Sequence, residues 1–142
     1  MAAEARFLLD TNICVYIRQR RPAEVLARFQ TLKVGEAVLS VITWGELLYG
    51  VERSPQRERS LEHLSALSSL IPVLPVPQEA ASHYGSIRKA LETRGEVIGN
   101  NDLWIAAHAL AAGLTLVTNN EREFKRVPKL KVQNWVTSTS AG

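Results

Sequence analysis

A three-layer α/β/α domain with a mostly parallel central sheet is the fold this sequence predicts, and three observations predict it. Short apolar runs of strand length recur at Phe7-Leu8-Leu9, Ala37 to Ile42, Val73 to Val76, Leu114 to Thr118 and Val132 to Val136. Between them lie segments whose apolar residues fall at three- and four-residue spacing, the period of a helix with one buried face. Several runs also end in polar clusters of the kind that close a strand and open a helix. Alternating strands and helices imply right-handed crossovers, hence a sheet covered on both faces.

Phe7-Leu8-Leu9 ends at Asp10-Thr11-Asn12, so the first strand closes at Asp10. A helix follows from about Ile13 and breaks at Arg21-Pro22, where proline suits the start of a second helix bearing Val25, Leu26 and Phe29. Ala37 to Ile42 reads as a buried strand. The next helix is expected to begin at Thr43, with Trp44, Leu47, Leu48 and Val51 on one side, and to end at Ser54-Pro55.

A further helix spans Gln56 to Leu70. Val73 to Val76 is expected at a sheet edge, because Pro75 and Pro77 lack backbone donors. A helix from Gln78 to Thr93 turns Ala81, Tyr84, Ile87, Ala90 and Leu91 inward and stops at Arg94-Gly95. Asn100-Asn101 offers a cap for a helix from Asp102 to Ala112 that ends at Gly113. Leu114 to Thr118 is a strand, Asn119-Asn120 a turn, Arg122 to Lys125 a short helical piece, and Val132 to Val136 a last strand.

At 142 residues the chain is long enough for one core without disulfides, and no repeat or linker divides it. One domain over 1–136 and a polar tail over 137–142 are expected. With 46% hydrophobic and 22% charged residues, disordered and collagen-like classes drop out. No apolar run is long enough to span a bilayer, and Met1 to Arg6 has no signal-like stretch, so a cytoplasmic protein without membrane contact is expected. The single Cys14 fits that compartment and reads as a small core residue. The net charge of +3 is mildly basic, with cations clustered over Arg18 to Lys33 and over Arg122 to Lys131. Such clusters suit phosphates, or equally a solvated helix face.

Asp10, Glu46 and Asp102 each stand where an apolar run yields to a turn or a helix start. If the Leu114 strand neighbours the first, all three carboxylates share the carboxyl edge of the sheet, where open α/β folds bind ligands. Like charges in one cleft raise each other's pKa unless a cation neutralises them, and a hard divalent ion suits oxygen donors. Structural explanations stand beside this one. Asp10 suits a turn, Asp102 suits a helix N-terminus, and Thr43-Trp44-Gly45-Glu46 fits a capping box. His63, His83 and His108 lack ligand-like spacing and read as surface or packing residues. Trp44 and Trp104 read as core, with a dimer contact as the alternative.

Four segments together resemble the PIN-domain ribonucleases and, more narrowly, the VapC toxins of bacterial type II toxin–antitoxin systems. They are Phe7-Leu8-Leu9-Asp10-Thr11-Asn12; Ser40 through Gly50, containing Thr43-Trp44-Gly45-Glu46; Ile98-Gly99-Asn100-Asn101-Asp102 through His108; and Leu116-Val117-Thr118-Asn119-Asn120. The resemblance runs from Phe7 to Trp135. It implies an endoribonuclease dependent on Mg2+ or Mn2+, with Asp10, Asp102 and Glu46 as metal ligands and Asn120 as a further catalytic position. It also implies a VapB-type antitoxin, a homodimer, a structured RNA such as tRNA as substrate, and inhibition of translation. Thr11, Asn12 and Thr118 are placed around the metal or phosphate, or else in support of the turns. Many relatives carry an aspartate where this chain has Asn120; Glu123, one helical turn on, is a substitute acid.

Two other readings of the residues remain open. A magnesium phosphatase of the haloacid-dehalogenase type also starts from an aspartate after its first strand, but wants a second acid two residues on, where Asn12 stands. An RNA-binding regulatory module would use the same acids only as caps.

Overall fold

Apolar side chains alternate between the two faces of each strand, and that alternation builds the layers. In the computed structural model, which describes residues 3–137, the chain order begins β1 (Phe7–Leu9), α1 (Thr11–Gln19), α2 (Ala23–Gln30), β2 (Ala37–Ser40), α3 (Val41–Glu52), α4 (Arg57–Leu70) and β3 (Val73–Leu74). It continues with α5 (Ala80–Arg94), α6 (Asn100–Ala112), β4 (Thr115–Val117), α7 (Glu121–Phe124) and β5 (Val132–Gln133). Residues 138–142 of the expected polar tail lie outside the described residues, as do the first two of the chain.

Phe7 and Leu9 of β1, Ala37 and Leu39 of β2 and Val117 of β4 face one core, built with Ile13, Val25, Leu47 and Leu64 from α1 to α4. Leu8, Val38 and Leu116 face the other, built with Ile87, Leu91, Leu103, Ile105 and Phe124 from α5, α6 and α7. Leu8 is fully buried at the centre of the sheet, so Leu8→Ala should cost about 2–5 kcal/mol.

The strands lie in the order β3-β2-β1-β4-β5, and every pairing is parallel. Leu8 stands opposite both Val38 and Leu116. From β1 the sheet grows one way through β2 and β3 and the other way through β4 and β5. Winding therefore reverses between β1 and β4, which opens a crevice at their carboxyl ends. The edge position expected for Val73 to Val76 is observed for β3.

Local boundaries differ from the sequence expectations for identifiable reasons. Val41 and Ile42 are β-branched and read as strand, yet Ser40 ends β2 and its Oγ accepts the Ile42 N–H at 3.1 Å, so α3 starts at Val41. The helix at Asn100 is led in by Gly99 rather than capped by asparagine; the Asn100 Oδ1 accepts from the Tyr84 hydroxyl instead. Ala81 is exposed and Ala80 takes the buried place. The last strand stops at Gln133 because Trp135 turns inward, its ring packed edge-on to Phe7 at 5.6 Å. Trp44 packs against the α1–α4 core, and Trp104 stacks on Tyr84 at 4.1 Å. Among the described residues no helix is long and apolar enough to cross a membrane.

Candidate active site

Asp10 follows β1 directly and caps α1, its Oδ1 accepting the Ile13 N–H at 3.0 Å. The ladder carries it to the crevice, since its own N–H still bonds Val117 O at 3.0 Å. Thr118, the residue after β4, is fully buried and donates its hydroxyl to Asp10 Oδ2. The same Thr118 oxygen accepts the Asn120 N–H at 2.9 Å, so one threonine joins the ends of two neighbouring strands to the turn beyond. Asp10 is only 6% exposed. Burial pushes its carboxyl above the usual range, against the opposing hydrogen bonds from Thr118 and the Ile13 N–H, and the Glu46 charge raises it further.

Glu46 lies in the second turn of α3, and its Oε1 accepts the Thr11 hydroxyl at 2.7 Å across 35 residues of chain. The capping box suggested by Thr43-x-x-Glu46 is not made. Ser40 caps the helix, and the Thr43 hydroxyl is buried without a hydrogen-bond partner among the described residues. Helix geometry therefore leaves Glu46 free to face the first turn of α1.

Asp102 occupies the first turn of α6, where its carboxyl is pushed up to about 6. Burial is the largest cause, followed by repulsion from Glu123, Glu46 and Asp10 in that order. Glu123 also lies close enough for one carboxyl to hydrogen-bond the other when a proton is present. Glu123 comes from α7, and the Asn120 side-chain amide holds it with a bond of 2.9 Å to Oε2. Asn120 thus orients the acid that stands beside Asp102.

The carboxylates lie within electrostatic reach of one another, and neither Asp10 nor Asp102 has a lysine or arginine among the groups that shift it. Three of them are each held by a donor, Asp10 by Thr118, Glu46 by Thr11 and Glu123 by Asn120. Among the described residues no three His, Cys, Asp or Glu side chains are drawn together tightly enough to form a ready-made metal cage. The donor chemistry fits a hard divalent cation nonetheless, being all oxygen, negatively charged and raised in pKa by crowding.

Two residues that the sequence did not single out steady the turn. Asn119 Nδ2 donates to the Tyr16 hydroxyl at 3.3 Å, and Asn134 Nδ2 donates to Asn119 Oδ1 at 3.1 Å. Nothing in local sequence signals this chain, because its three members come from α1, the turn after β4 and the segment after β5. His108 is buried in α6, its pKa lowered by that burial, and its Nδ1 has no partner; it is a packing residue, as expected. Cys14 is fully buried, and its thiol is pushed up by burial first and by the Asp10 charge second. Asn12, where a phosphatase would want its second acid, is exposed.

Comparison with known proteins identifies the family. The family described as PIN domain matches residues 7–130. The chain is 44% identical over 131 residues to Ribonuclease VapC2 of Haemophilus influenzae, covering 92% of this chain and 98% of that protein. It is 43% identical over 130 residues to the tRNA(fMet)-specific endonuclease VapC of Shigella flexneri, covering 92% and 98%. Among solved structures, VapBC2 from Rickettsia felis bound to a DNA fragment from its promoter superposes with a TM-score of 0.86 at 40% identity, covering 92% of this chain and 98% of that one. DNA-bound VapBC from Salmonella typhimurium gives 0.87 at 38% identity, covering 93% and 99%.

Proposed function

The chain belongs to the PIN-domain family, as an endoribonuclease of the VapC group, and from that premise we propose that Asp10, Glu46, Asp102 and Glu123 form a Mg2+- or Mn2+-dependent site for RNA hydrolysis. One observation carries the proposal. Glu46 is released from its helix cap and turned by Thr11 toward the crevice in which Asp10 and Asp102 repel each other.

Asp10 and Asp102 would hold the cation, with Glu46 bound directly or through water, and Asn120 would keep Glu123 in place beside Asp102. When bound, a divalent cation supplies charge neutralisation at the phosphodiester and a more acidic water. The protein's own share is orientation. Thr118 fixes Asp10 at the ends of β1 and β4, and Thr11 at the start of α1 fixes Glu46 of α3. Glu46, partly exposed on α3, would accept a proton from a water attacking in line. The resemblance to the PIN-domain ribonucleases implies that the 3′-oxygen is the leaving group, so that the products would bear a 5′-phosphate and a 3′-hydroxyl.

The relatives extend the proposal to substrate and partners. A relative named as tRNA(fMet)-specific supports a structured RNA such as tRNA, whose cleavage would inhibit translation. Neighbours solved as VapBC complexes support a VapB-type antitoxin, and the family resemblance supports a homodimer working in the cytoplasm. The test is to incubate purified protein with Mg2+ and a mixture of tRNA and messenger RNA, then sequence the new ends. A few discrete tRNA cuts bearing a 5′-phosphate are expected. Uniform degradation of every RNA would overturn the substrate class, and release of phosphate from a phosphomonoester with RNA intact would overturn the activity.

A further inference from the structure

A basic hollow of about 600 Å³ lies between the C-terminal end of α5 and the segment after α7, lined by Arg94, Glu96, Arg122, Lys125, Arg126 and Pro128. We propose that it grips backbone phosphates of the same RNA strand whose scissile bond lies at the carboxylates, an inference that rests on the nuclease reading above.

The hollow is held together by its own arginines. Arg94 Nη2 donates to Arg126 O at 2.5 Å, and Arg126 Nη1 donates to Val97 O at 3.2 Å, which ties the loop after α5 to the segment after α7. Among the described residues Glu96 is the one acid in the lining, and it pairs with Arg94 at 3.2 Å and Arg126 at 3.9 Å. Lys125 reaches Glu121 only at 3.8 Å, and Arg122 is exposed with no ion-pair partner among the described residues. Positive charge therefore remains available there.

Its position links it to the site. Arg122 and Glu123 are adjacent on α7, and successive helical side chains point about 100° apart. The short helix thus offers Glu123 to Asp102 and Arg122 to the hollow. The loop that Arg126 braces runs directly into α6, whose first turn carries Asp102. Electrostatics supplies the need for such a contact. Four carboxylates repel a polyphosphate, and neither Asp10 nor Asp102 is shifted by a nearby cation. Counter-charge on the residue beside Glu123 offsets part of that repulsion, since charges act over a screening length of about 8 Å at physiological salt.

The lining favours a polyanion over a protein partner. Protein interfaces are anchored by aromatic and aliphatic side chains, and here, among the described residues, Pro128 is the only apolar one in the wall.

The test compares the full-length protein with an Arg122→Ala, Lys125→Ala double variant and an Arg122→Lys variant. Each is titrated with a fluorescein-labelled RNA hairpin in EDTA over a range of NaCl concentrations. Both residues are exposed, so thermal unfolding should be unchanged. Loss of two phosphate contacts should weaken binding roughly 10-fold and flatten the slope of log affinity against log salt by about 1.4 to 1.8, at about 0.7 per contact on the loop and about 0.9 on the stem. Arg122→Lys should keep most of the slope. Unaltered affinity and slope in the double variant would overturn the proposal. So would RNA binding that is retained while binding to a poly-glutamate peptide is lost, which would assign the hollow to an acidic protein. Wild-type protein that shows the expected slope and its loss in the double variant, but cleaves no RNA when Mg2+ is added, would support the hollow while overturning the nuclease reading.

Discussion

The Thr11 hydroxyl donates to Glu46 Oε1 at 2.7 Å, and this bond, rather than a helix cap, sets the direction of the Glu46 carboxylate. Both residues are partly exposed, so removing the bond should cost only about 0.5–1.5 kcal/mol of folding stability. Its effect on catalysis should be larger. Thr11→Val is expected to lower kcat for RNA cleavage roughly 10- to 100-fold, the usual range for a group that orients a ligand, while Thr11→Ser retains most activity. Steady-state kinetics beside urea denaturation separate the two effects. A stability loss without a kcat loss would return Glu46 to a structural role.

Asp102 gives a pH signature. Its carboxyl titrates near 6 in the folded protein against an ordinary value of 3.8. Over that window the folded state holds a proton that the unfolded state has released, so this group's contribution to stability falls as pH rises and is lowest above about 6. Asp102→Asn removes the charge. In metal-free buffer its Tm relative to wild type should therefore climb between pH 4 and pH 7 (roughly the span of that titration), even as cleavage is lost. A Tm difference that stays flat across the range would contradict the crowding of carboxylates.

Glu123 is a main source of that crowding, second only to burial. A proton retained near Asp102 at mildly acidic pH must leave when a cation binds, because metal ligands bind deprotonated. Calorimetry of Mn2+ binding in two buffers of different ionisation enthalpy should show proton release in wild type at about pH 6. Glu123→Gln should reduce both that release and the affinity, whereas Asn120→Ala should weaken affinity with release kept. Equal behaviour of wild type and Glu123→Gln would remove Glu123 from the site.

Thr118 joins Asp10 to Asn120 with a single buried oxygen. Its bond favours the charged form of Asp10 and opposes the rise caused by burial. Thr118→Val should cost about 1.5–3 kcal/mol near neutral pH, the range for a hydrogen bond to a charged group. The sign follows from linkage: the loss shrinks as pH falls through the Asp10 pKa, since the protonated carboxyl no longer needs that donor. Thr118→Ser should restore most of the stability. A loss independent of pH would mean that Thr118 matters for packing alone.

Much of this was legible in the residues. Short continuous apolar runs such as Phe7-Leu8-Leu9, buried on both faces, alternating with helices of three- and four-residue spacing announced a covered parallel sheet, and the polar cluster after the first run marked its carboxyl edge. Asp10 was visible for that reason, and Asp102 because it stands at the start of the helix before β4. Glu46 was ambiguous because Thr43-x-x-Glu46 satisfies a capping pattern; only the earlier cap at Ser40 shifts the register that frees it. The β-branched pair Val41-Ile42 hid that shift, since β propensity and helix capping disagree there and the cap prevails. The link from Asn120 to Glu123 was half legible, as helical spacing puts residue 123 one turn beyond the asparagine. The Tyr16–Asn119–Asn134 chain was not legible, because three distant segments meet only once the sheet order is known.

The central claim is that these carboxylates, acting with a divalent cation, cut RNA. The measurement that tests it most directly is cleavage of a labelled tRNA by wild-type and Asp10→Asn protein, each with Mg2+ and with EDTA. Cleavage is expected from wild type in Mg2+ alone, with Asp10→Asn reduced to background although it folds and still binds the RNA. Undiminished cleavage by Asp10→Asn in EDTA would contradict it.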